Sequence, residues 1–338
     1  MSSPFVHHNG EVRLVIQIPC FNEAETLPTT LADLPRRISG FDEVLWLVID
    51  DGSSDKTAEV AKAHGADAVV KLTQNKGLAV AFQVGLDAAL QLGADVIVNT
   101  DADNQYSAAN IPDLVKPITQ GHADLVVGTR DIANHEEFST LKKYLQKIGS
   151  WVVRQASATE VSDVTSGFRA YSKEAALQVN VVSQFTYTLE TLIQAGRSDL
   201  AVADIPINVN PTTRPSRLFR SKRQYVRRSA ATISRVYAMH QPLRVFNIPA
   251  AVFAAAGLIL FGRFGWFYVT AGGEGHIQSL IVGAVCLLVA MQMLMLGLLA
   301  DLLRSNRVIS ERVLRRVRNI ELTLGDYSTI EDEPTPDP

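Results

Sequence analysis

The sequence predicts an α/β fold, built on a mostly parallel doubly wound sheet and followed by two transmembrane helices. Apolar, β-branched runs alternate with helical segments through the first part of the chain, which is typical of a parallel sheet covered on both faces. Three glycines, Gly65, Gly93 and Gly121, stand just before Ala-Asp pairs, as expected where a helix ends and a strand begins. Two long uncharged runs near the end of the chain predict the membrane helices.

Five short segments are predicted as buried strands because they are apolar and rich in β-branched residues. Segments of helical composition, including Thr57–His64 and Leu78–Leu92, lie between them. Ligands of a doubly wound sheet bind beyond the carboxyl ends of the strands, so residues directly after each strand are functional candidates. The predicted strands are Leu14–Ile18, Leu45–Ile49, Ala68–Leu72, Val96–Asn99 and Leu125–Val127.

Composition narrows the class of protein. The chain has 338 residues, of which 47% are hydrophobic, and a formal net charge of −3. This balance gives no general attraction to nucleic acid, and we expect no nucleic-acid partner. Cys20 and Cys286 are the only cysteines, which excludes a disulfide framework and fits a reducing compartment. The segment Met1–Glu11 lacks the features of a secretory signal, so we expect the first domain to be cytoplasmic.

The two apolar runs predict a transmembrane hairpin. The first is uncharged over Val245–Gly262 and continues past Arg263, and the second is uncharged over Ile277–Ala300. The connector Thr270–His276 has no Lys or Arg, whereas both outer flanks are rich in arginine, so the positive-inside rule places both termini in the cytoplasm. A buried hairpin in a soluble core is the alternative, although such helices are usually shorter and amphipathic. Arg263 either has a function or snorkels to the headgroups.

These patterns divide the chain into six segments. Basic amphipathic patterns at 141–152 and 226–237 are expected to contact anionic lipid, with packing against the sheet as the alternative. The segments are a polar tail (1–11), a catalytic domain (12–220), a basic amphipathic interface helix (221–244), the transmembrane hairpin (245–303), a basic cytoplasmic helix (304–325) and a disordered acidic tail (326–338).

Carboxylates follow two of the predicted strands. Asp101 and Asp103 are separated only by an alanine, so both can reach one hard cation, and Gln105 can add an oxygen or hold a water. Magnesium commonly combines one or two carboxylates with substrate phosphates. Asp50 and Asp51 end an apolar strand, where a buried acid needs a donor or a cation. The alternative is that Asp51 or the following serines cap the next helix.

Six short motifs follow one another along the first domain. They are Ile18-Pro19-Cys20-Phe21-Asn22-Glu23, Asp50-Asp51-Gly52-Ser53-Ser54-Asp55-Lys56-Thr57, Asn75-Lys76-Gly77, Asp101-Ala102-Asp103-Asn104-Gln105-Tyr106, Gly128-Thr129-Arg130 and Ser166-Gly167-Phe168-Arg169. In this order they resemble the family 2 glycosyltransferases of the GT-A fold, in the branch of the polyprenyl- and dolichyl-phosphate sugar synthases. The resemblance covers roughly residues 12 to 220.

The resemblance implies a role for each matching residue. The nucleotide-binding set comprises Pro19, Phe21, Glu23 and Asp51, with Asp50 in support and Lys76 beside them. The implied metal ligands are Asp101, Asp103 and Gln105, and the implied active-site acid is Asp163. The residues implied to hold donor or acceptor phosphates are Arg130, Arg169, Ser216 and Arg217.

The expected reaction is metal-dependent, inverting transfer of a hexosyl group to a polyprenyl phosphate such as undecaprenyl or dolichyl phosphate. The donor is a nucleotide-sugar, with UDP-sugars favoured and GDP-mannose open, and the cation is Mg²⁺ or Mn²⁺. The lipid bilayer is a further partner, and self-association is open. Two alternatives remain: a processive polysaccharide synthase, whose Gln-x-x-Arg-Trp element is imperfectly matched by Gln224–Arg228, and a non-catalytic nucleotide-binding scaffold.

Overall fold

The computed structural model describes residues 11–130, 161, 163–181, 187–196, 198, 200–210, 238, 241–272 and 277–324. The chain divides into two compact units, Met1–Ala230 with Arg312–Pro338, and Ala231–Glu311. Several predictions lie outside the described residues. These are the amphipathic pattern at 141–152, most of the interface helix 221–244, the motif with Ser216 and Arg217, and the acidic tail.

The secondary structure follows the predicted alternation of strands and helices. The strands are β1 (Arg13–Cys20), β2 (Glu43–Asp50), β3 (Ala68–Lys71), β4 (Val96–Asn99), β5 (Leu125–Arg130), β6 (Arg169–Ser172) and β7 (Val202–Ile207). The helices are α1 (Leu27–Asp33), α2 (Thr57–Ala63), α3 (Leu78–Gln91), α4 (Ile111–Thr119), α5 (Lys173–Gln178), α6 (Tyr187–Ala195), α7 (Pro242–Ala271) and α8 (Ile277–Leu324).

The sheet has seven strands in the order β3-β2-β1-β4-β6-β5-β7. The pairs β1–β2, β1–β4, β2–β3 and β5–β7 are parallel, whereas β6 runs antiparallel to both β4 and β5. All five predicted strands are present, so the predicted α/β class with a mostly parallel sheet is confirmed. The strands β6 and β7 were not predicted.

Alternate residues of the strands face opposite layers of helices. On β1, Leu14, Ile16 and Ile18 belong to a buried apolar cluster that includes residues of α1, α2 and α4. Gln17 faces the other way, toward α3. This period-2 division explains why the central strands are apolar along their whole length, since both faces are covered.

The parallel strands bring three motif loops to one edge of the sheet. Cys20 at the end of β1 pairs with Asp50 at the end of β2. On the other side of β1, Gln17 pairs with Asn99 at the end of β4. Since these three strands run in the same direction, the loops that follow them start from neighbouring positions.

The second unit contains α7 and most of α8, and both helices are long and apolar enough to cross a membrane. Within the candidate spans Pro242–Thr270 and Ile277–Asn306, the most apolar 18-residue windows have a mean hydropathy of 2.0 and 2.4, and only 11% and 17% of these windows are buried. Gly257 and Gly283 form the contact between the helices, where an added Cβ would meet Leu287 or Phe261 at 2.8 Å. Such exposed apolar faces favour the transmembrane prediction over a buried soluble hairpin.

Helix α8 continues without a break from Ile277 to Leu324. The basic segment predicted as a separate helix from residue 304 is therefore the continuation of the second apolar helix. Its last turns belong to the first unit, where the Arg318 guanidinium lies 3.3 Å from the Asp87 carboxylate of α3 and donates to the Val179 carbonyl at 3.3 Å.

Candidate active site

Two loops at the carboxyl edge of the sheet are tied together by hydrogen bonds. The backbone N–H of Asn22 donates to the Ser53 hydroxyl and that of Glu23 donates to the Thr57 hydroxyl, both at 2.9 Å. In return, the Asn22 side-chain oxygen accepts the backbone N–H of Ser54 at 2.8 Å. Helix α2 has no side-chain N-cap, so the alternative in which these serines cap it is wrong. They hold the loop after β1 against the loop after β2.

Asp51 attaches a third segment to this edge. Its Oδ1 accepts the backbone N–H of Lys76 at 2.8 Å, and its Oδ2 accepts that of Gly77 at 2.9 Å. These donors lie at the start of α3, where the helix dipole also favours a negative charge. Asp51 is buried, and it holds the segment before α3 against the loop after β2. The base or ribose contact implied for it stays a prediction.

Asp50 carries an unpaired buried oxygen. The residue has no exposed surface, and its Oδ1 accepts the backbone N–H of Ser53 at 2.8 Å. Its Oδ2 has no hydrogen-bond partner among the described residues. A buried oxygen of this kind is costly, and a donor would relieve the cost. Cys20, its neighbour on β1, is inert by contrast, because burial raises the pKa of its thiol well above the ordinary value.

The loop after β4 carries the Asp-x-Asp pair and is held in place by side chains that hydrogen-bond to its backbone groups. The Thr30 hydroxyl of α1 donates to the carbonyl of Ala102, between the two aspartates, at 2.8 Å. The backbone N–H of Gln105 donates to Oδ1 of Asp103 at 3.1 Å. Asp101, Asp103 and the Gln105 side chain remain half-buried at the edge, as expected of residues that meet a ligand.

The charges around Asp101 identify the centre of the site. Burial raises the pKa of Asp101 to about 7, with a further rise from the negative charge of Asp103 and a smaller one from Glu23, while Arg130 opposes them. Two carboxylates that repel each other at a desolvated position favour a cation between them. The described residues contain no cluster of three or more His, Cys, Asp or Glu around one point. The donor set suits Mg²⁺ or Mn²⁺ completed by phosphate oxygens and water.

Arg130 and Asp163 form a nearly buried ion pair beside this centre. The Arg130 Nε donates to Oδ2 of Asp163 at 2.7 Å, and one terminal nitrogen donates to Oδ1 at 3.3 Å and to the Thr165 hydroxyl at 3.1 Å. Burial alone would raise the pKa of Asp163, but the hydrogen bonds and charge of Arg130, together with Thr165, lower it below the ordinary value. Asp163 is therefore ionised at neutral pH and orients Arg130.

Arg169 does not reach the open edge. Its side chain is fully buried, and its guanidinium donates to three backbone carbonyls and one hydroxyl. The phosphate-binding role implied for Arg169 disagrees with this geometry, because its donors are already used inside the domain. The acceptors are the carbonyls of Val164, Ser166 and Thr188 and the hydroxyl of Thr191, at 2.6 to 3.0 Å.

The remaining predicted residues differ in exposure. Pro19 is buried in β1, whereas Phe21 is 43% exposed at the start of the next loop. Lys76 is exposed beside the segment that Asp51 holds. Ser216 and Arg217 lie outside the described residues.

The structure also brings in two side chains that the sequence did not single out. Asn99, predicted only as a strand end, donates to the Gly167 carbonyl at 2.8 Å and to the Tyr187 hydroxyl at 3.0 Å. The amide of Asn99 at the end of an apolar strand was a possible signal. Tyr187 gave none, because it lies 88 residues further along the chain.

Comparison with known proteins agrees with this geometry. The model for glycosyl transferase family 2 matches residues 15–179. A UDP-N-acetylglucosamine–dolichyl-phosphate N-acetylglucosaminyltransferase of Methanococcus voltae is 30% identical over 215 residues, covering 56% of this chain and 82% of the relative. An uncharacterized glycosyltransferase of Mycobacterium tuberculosis is 32% identical over 201 residues, covering 59% and 86%.

A solved structure supports the fold. The crystal structure of glucosyl-3-phosphoglycerate synthase from Mycobacterium tuberculosis, in complex with Mn²⁺, UDP and phosphoglyceric acid, superposes with a TM-score of 0.53 at 20% identity, covering 68% of this chain and 79% of that one. The sheet and this likeness define the GT-A fold. The family match and the named relatives show an enzyme that transfers sugars. The chain belongs to glycosyltransferase family 2, and its relatives include an undecaprenyl-phosphate mannosyltransferase of Micrococcus luteus, 28% identical over 206 residues and covering 58% of this chain and 83% of the relative.

Proposed function

We propose that the enzyme transfers a hexosyl group from a nucleotide-sugar to a polyprenyl phosphate, with inversion at the anomeric carbon and with a divalent cation at Asp101 and Asp103. The single observation that carries the proposal is the placement of Asp101 and Asp103 side by side after β4, at the edge where the motif loops meet. The charge of Asp103 adds to burial in raising the pKa of Asp101, in keeping with a cation there. A carboxylate pair of this kind suits the cation that accompanies a diphosphate leaving group.

The acceptor explains why the site needs no strong general base. A phosphate monoester carries a charge of about −1.5 to −2 at pH 7, so its oxygen is already nucleophilic. That oxygen forms a bond to the anomeric carbon while the bond from this carbon to the diphosphate oxygen breaks, and the electron pair leaves with the nucleoside diphosphate. Attack from the face opposite the leaving group inverts the configuration.

The side chains of the site are therefore proposed to neutralise the charge of the phosphate groups and to hold the reacting groups in position. Asp101 and Asp103, with Gln105 beside them, would hold the cation, which neutralises the departing diphosphate. Arg130 contributes a positive charge close to Asp101, and Asp163 keeps its guanidinium in a fixed direction. Asp163 thus serves by positioning Arg130.

The donor is proposed to be a UDP-sugar, with GDP-mannose as the second candidate. Support for UDP comes from the Methanococcus voltae relative, a UDP-N-acetylglucosamine–dolichyl-phosphate N-acetylglucosaminyltransferase. The unpaired buried Oδ2 of Asp50 supports a nucleotide here, since a base N–H could supply the missing donor after a small rearrangement. Phe21, exposed on the adjoining loop, is available to pack on the base.

The acceptor's lipid is proposed to lie in the bilayer crossed by α7 and α8, with the catalytic domain and both termini in the cytoplasm. Arginine-rich flanks outside both helices and a connector without Lys or Arg support this orientation. A cysteine placed at Glu274 in a Cys20→Ser, Cys286→Ser chain should react with an impermeant maleimide only from the outside of intact cells. Labelling from the cytoplasmic side would reverse the topology.

The alternatives from the sequence gain no support. The non-catalytic scaffold is set aside because the chain belongs to a family of sugar-transferring enzymes. For the processive synthase, the described residues contain two candidate membrane helices, too few for a polymer channel within one chain. The Gln224–Arg228 segment lies outside the described residues.

The test is sugar transfer by the full chain in liposomes containing undecaprenyl or dolichyl phosphate, with a panel of labelled UDP- and GDP-sugars and with Mg²⁺, Mn²⁺ or EDTA. We expect a metal-dependent lipid product whose anomeric configuration is opposite to that of the donor. Asp103→Asn should reduce the rate at least about 100-fold, roughly 2.7 kcal/mol of transition-state stabilisation. Asp113→Asn, an exposed aspartate of α4, is the matched control. Full activity in EDTA would refute the metal assignment.

A further inference from the structure

Both peptide groups of Gly167 are held by buried side chains from distant parts of the chain. Its N–H donates to the Tyr106 hydroxyl at 3.1 Å. Its carbonyl accepts from Asn99 Nδ2 at 2.8 Å and lies 3.5 Å from the Tyr187 hydroxyl. We call Asn99, Tyr106 and Tyr187 the Gly167 clamp.

The members of the clamp are themselves fixed. The Tyr187 ring stacks on Phe82 of α3, with centroids 4.0 Å apart and planes 9° apart. The Tyr106 ring stacks on Phe168 at 5.2 Å, also with planes 9° apart. Asn99 accepts a hydrogen bond from Gln17 of β1 at 2.8 Å. Because all three members are at least 95% buried, water does not compete for their hydrogen bonds.

Gly167 lies directly against the carboxylate of Asp101. A Cβ built on Gly167 would stand 3.3 Å and 3.5 Å from the two carboxylate oxygens of Asp101 and 2.7 Å from the Tyr187 hydroxyl. The carboxylate therefore occupies the space that a side chain at this position would take. The position of the Gly167 backbone sets how closely Asp101 can approach this wall of the site.

We propose that Asn99, Tyr106 and Tyr187 are positioning residues for the metal site, because they fix Gly167 and thereby the direction of the Asp101 carboxylate. The proposal rests on the metal assignment of the proposed function and deepens it. Residues that orient a metal ligand without touching the metal commonly change affinity 10- to 100-fold when they are altered.

The direct readout is Mn²⁺ binding, measured by electron paramagnetic resonance of free Mn²⁺ during titration of the full-length protein with UDP and, separately, with GDP. Gly167→Ala should weaken Mn²⁺ binding about 10- to 100-fold, because the new methyl group displaces the carboxylate or the tyrosine. Tyr106→Phe should weaken it roughly tenfold by leaving the Gly167 N–H without an acceptor.

A double variant tests the geometry more sharply. The added Cβ of Gly167→Ala meets the Tyr187 hydroxyl more closely than it meets Asp101. Tyr187→Phe alone should have only a few-fold effect, and Gly167→Ala with Tyr187→Phe should bind Mn²⁺ more tightly than Gly167→Ala alone. Such rescue is not expected if each substitution only loosens the core.

The matched control is Tyr171→Phe. Tyr171 is fully buried, its ring lies 5.7 Å from the same Phe82 ring, and its hydroxyl has no hydrogen-bond partner among the described residues. Its removal should leave Mn²⁺ binding unchanged. Melting temperatures and nucleotide binding in EDTA, recorded for every variant, separate loss of fold from loss of metal.

The outcomes are distinct. Weakened Mn²⁺ binding by folded Gly167→Ala and Tyr106→Phe, with rescue in the double variant, supports the clamp. Equal Mn²⁺ binding by wild type and all the clamp variants overturns it while leaving the metal assignment intact. A wild-type protein that binds nucleotide but no Mn²⁺ overturns the metal assignment and, with it, the clamp.

Discussion

At the scale of single residues, the polar side chains of this site fall into two groups. Some are buried and hold the backbone in place, and others stay partly exposed at the open edge of the sheet. Asp51 and Arg169 are buried, and their partners are mainly backbone groups. Asp101 and Asp103 stay half-buried at the open edge. Both kinds stand within motifs of the family, so a motif residue does not by itself indicate contact with substrate.

The buried position of Arg169 predicts a stability effect. Arg169→Met should lower the free energy of unfolding by about 3 kcal/mol or more, since each buried acceptor left without a donor costs roughly 1–3 kcal/mol. Urea denaturation measures this, with Arg37→Met, an exposed arginine, as the control. An unchanged unfolding midpoint together with lost UDP binding would instead favour the phosphate role.

The Arg130–Asp163 pair predicts a pH dependence. The pKa of Asp163 in the folded state lies below its ordinary value of 3.8, so the pair stabilises the fold at higher pH, and this stabilisation is lost as the pH falls through the lowered pKa. Asp163→Asn should cost about 3 kcal/mol at pH 7, because it leaves Arg130 without its buried partner. The gap to wild type should narrow below about pH 4. A gap that stays constant down to pH 2 in urea denaturation would contradict this.

The sequence identified the carboxylates at the open edge but not the residues that support them. Asp101 and Asp103 were predictable because they directly follow an apolar strand. Tyr187 was not, since its contact with Asn99 spans 88 residues and depends on how α6 packs beside the sheet. The burial of Arg169 was not predictable for the same reason: two of its four acceptors, Thr188 and Thr191, lie about 20 residues away, on a helix that the motif does not include.

At the scale of elements, three loops meet at the carboxyl edge of the sheet, and their close packing depends on Gly52. This residue has φ of +68°, and a Cβ there would overlap the backbone of Gln74 and Asn75. Asp51 draws the same segment inward through the N–H groups of Lys76 and Gly77. The loop after β2 and the segment before α3 are thus packed backbone to backbone.

Gly52→Ala should therefore separate these loops. We expect at least tenfold weaker UDP binding and a clear fall in melting temperature, because neither backbone segment can move aside cheaply. Gly40→Ala is the matched control, since Gly40 has φ of +94° but nothing within 4 Å of an added Cβ. It should cost only about 1 kcal/mol, the strain of a left-handed alanine. Equal effects of the two substitutions would refute the proposed packing.

The elements were predictable where local pattern and burial agree. The five predicted strands are short apolar runs, three of them directly after a glycine-marked helix end, and all five are present. In contrast, β6 contains Arg169 and Ser172, and β7 contains Asp204 and Pro206, so neither has the composition of a buried strand. Both strands form because they pair with neighbours in the sheet, β6 with β4 and β5 and β7 with β5, and their own residues do not indicate this.

At the scale of the whole molecule, the catalytic unit is followed by a pair of helices long and apolar enough to cross a membrane. Deleting residues 245–338 should reduce transfer to long-chain polyprenyl phosphate in liposomes by at least about tenfold more than transfer to a short, water-soluble isoprenyl phosphate. The reason is that a long lipid is presented only at the bilayer. Rates with the two acceptors, measured side by side, give the ratio.

This deletion also removes residues 312–324, which belong to the catalytic unit. Full-length Arg318→Leu is the control, since it removes the contacts with Asp87 and Val179 while keeping both helices. We expect that variant to use the two acceptors in the wild-type ratio. If the truncated enzyme and Arg318→Leu have the same ratio of rates with the long and the short acceptor, the two apolar helices play no part in the use of the lipid.

The position of β6 in the sheet has a consequence for how the chain folds while it is being synthesised on the ribosome. Among the strands that the structure describes, β6 alone joins β4 to β5, although it is made after both of them. While a ribosome is still translating residues before Arg169, the first four strands end in an open edge at β4, and β5 has no neighbour. Strands β4 and β5 become joined in one sheet once β6, which ends at Ser172, has emerged from the ribosome. A nascent chain shorter than this carries an unpaired strand edge, the kind of surface on which chaperones act and chains aggregate.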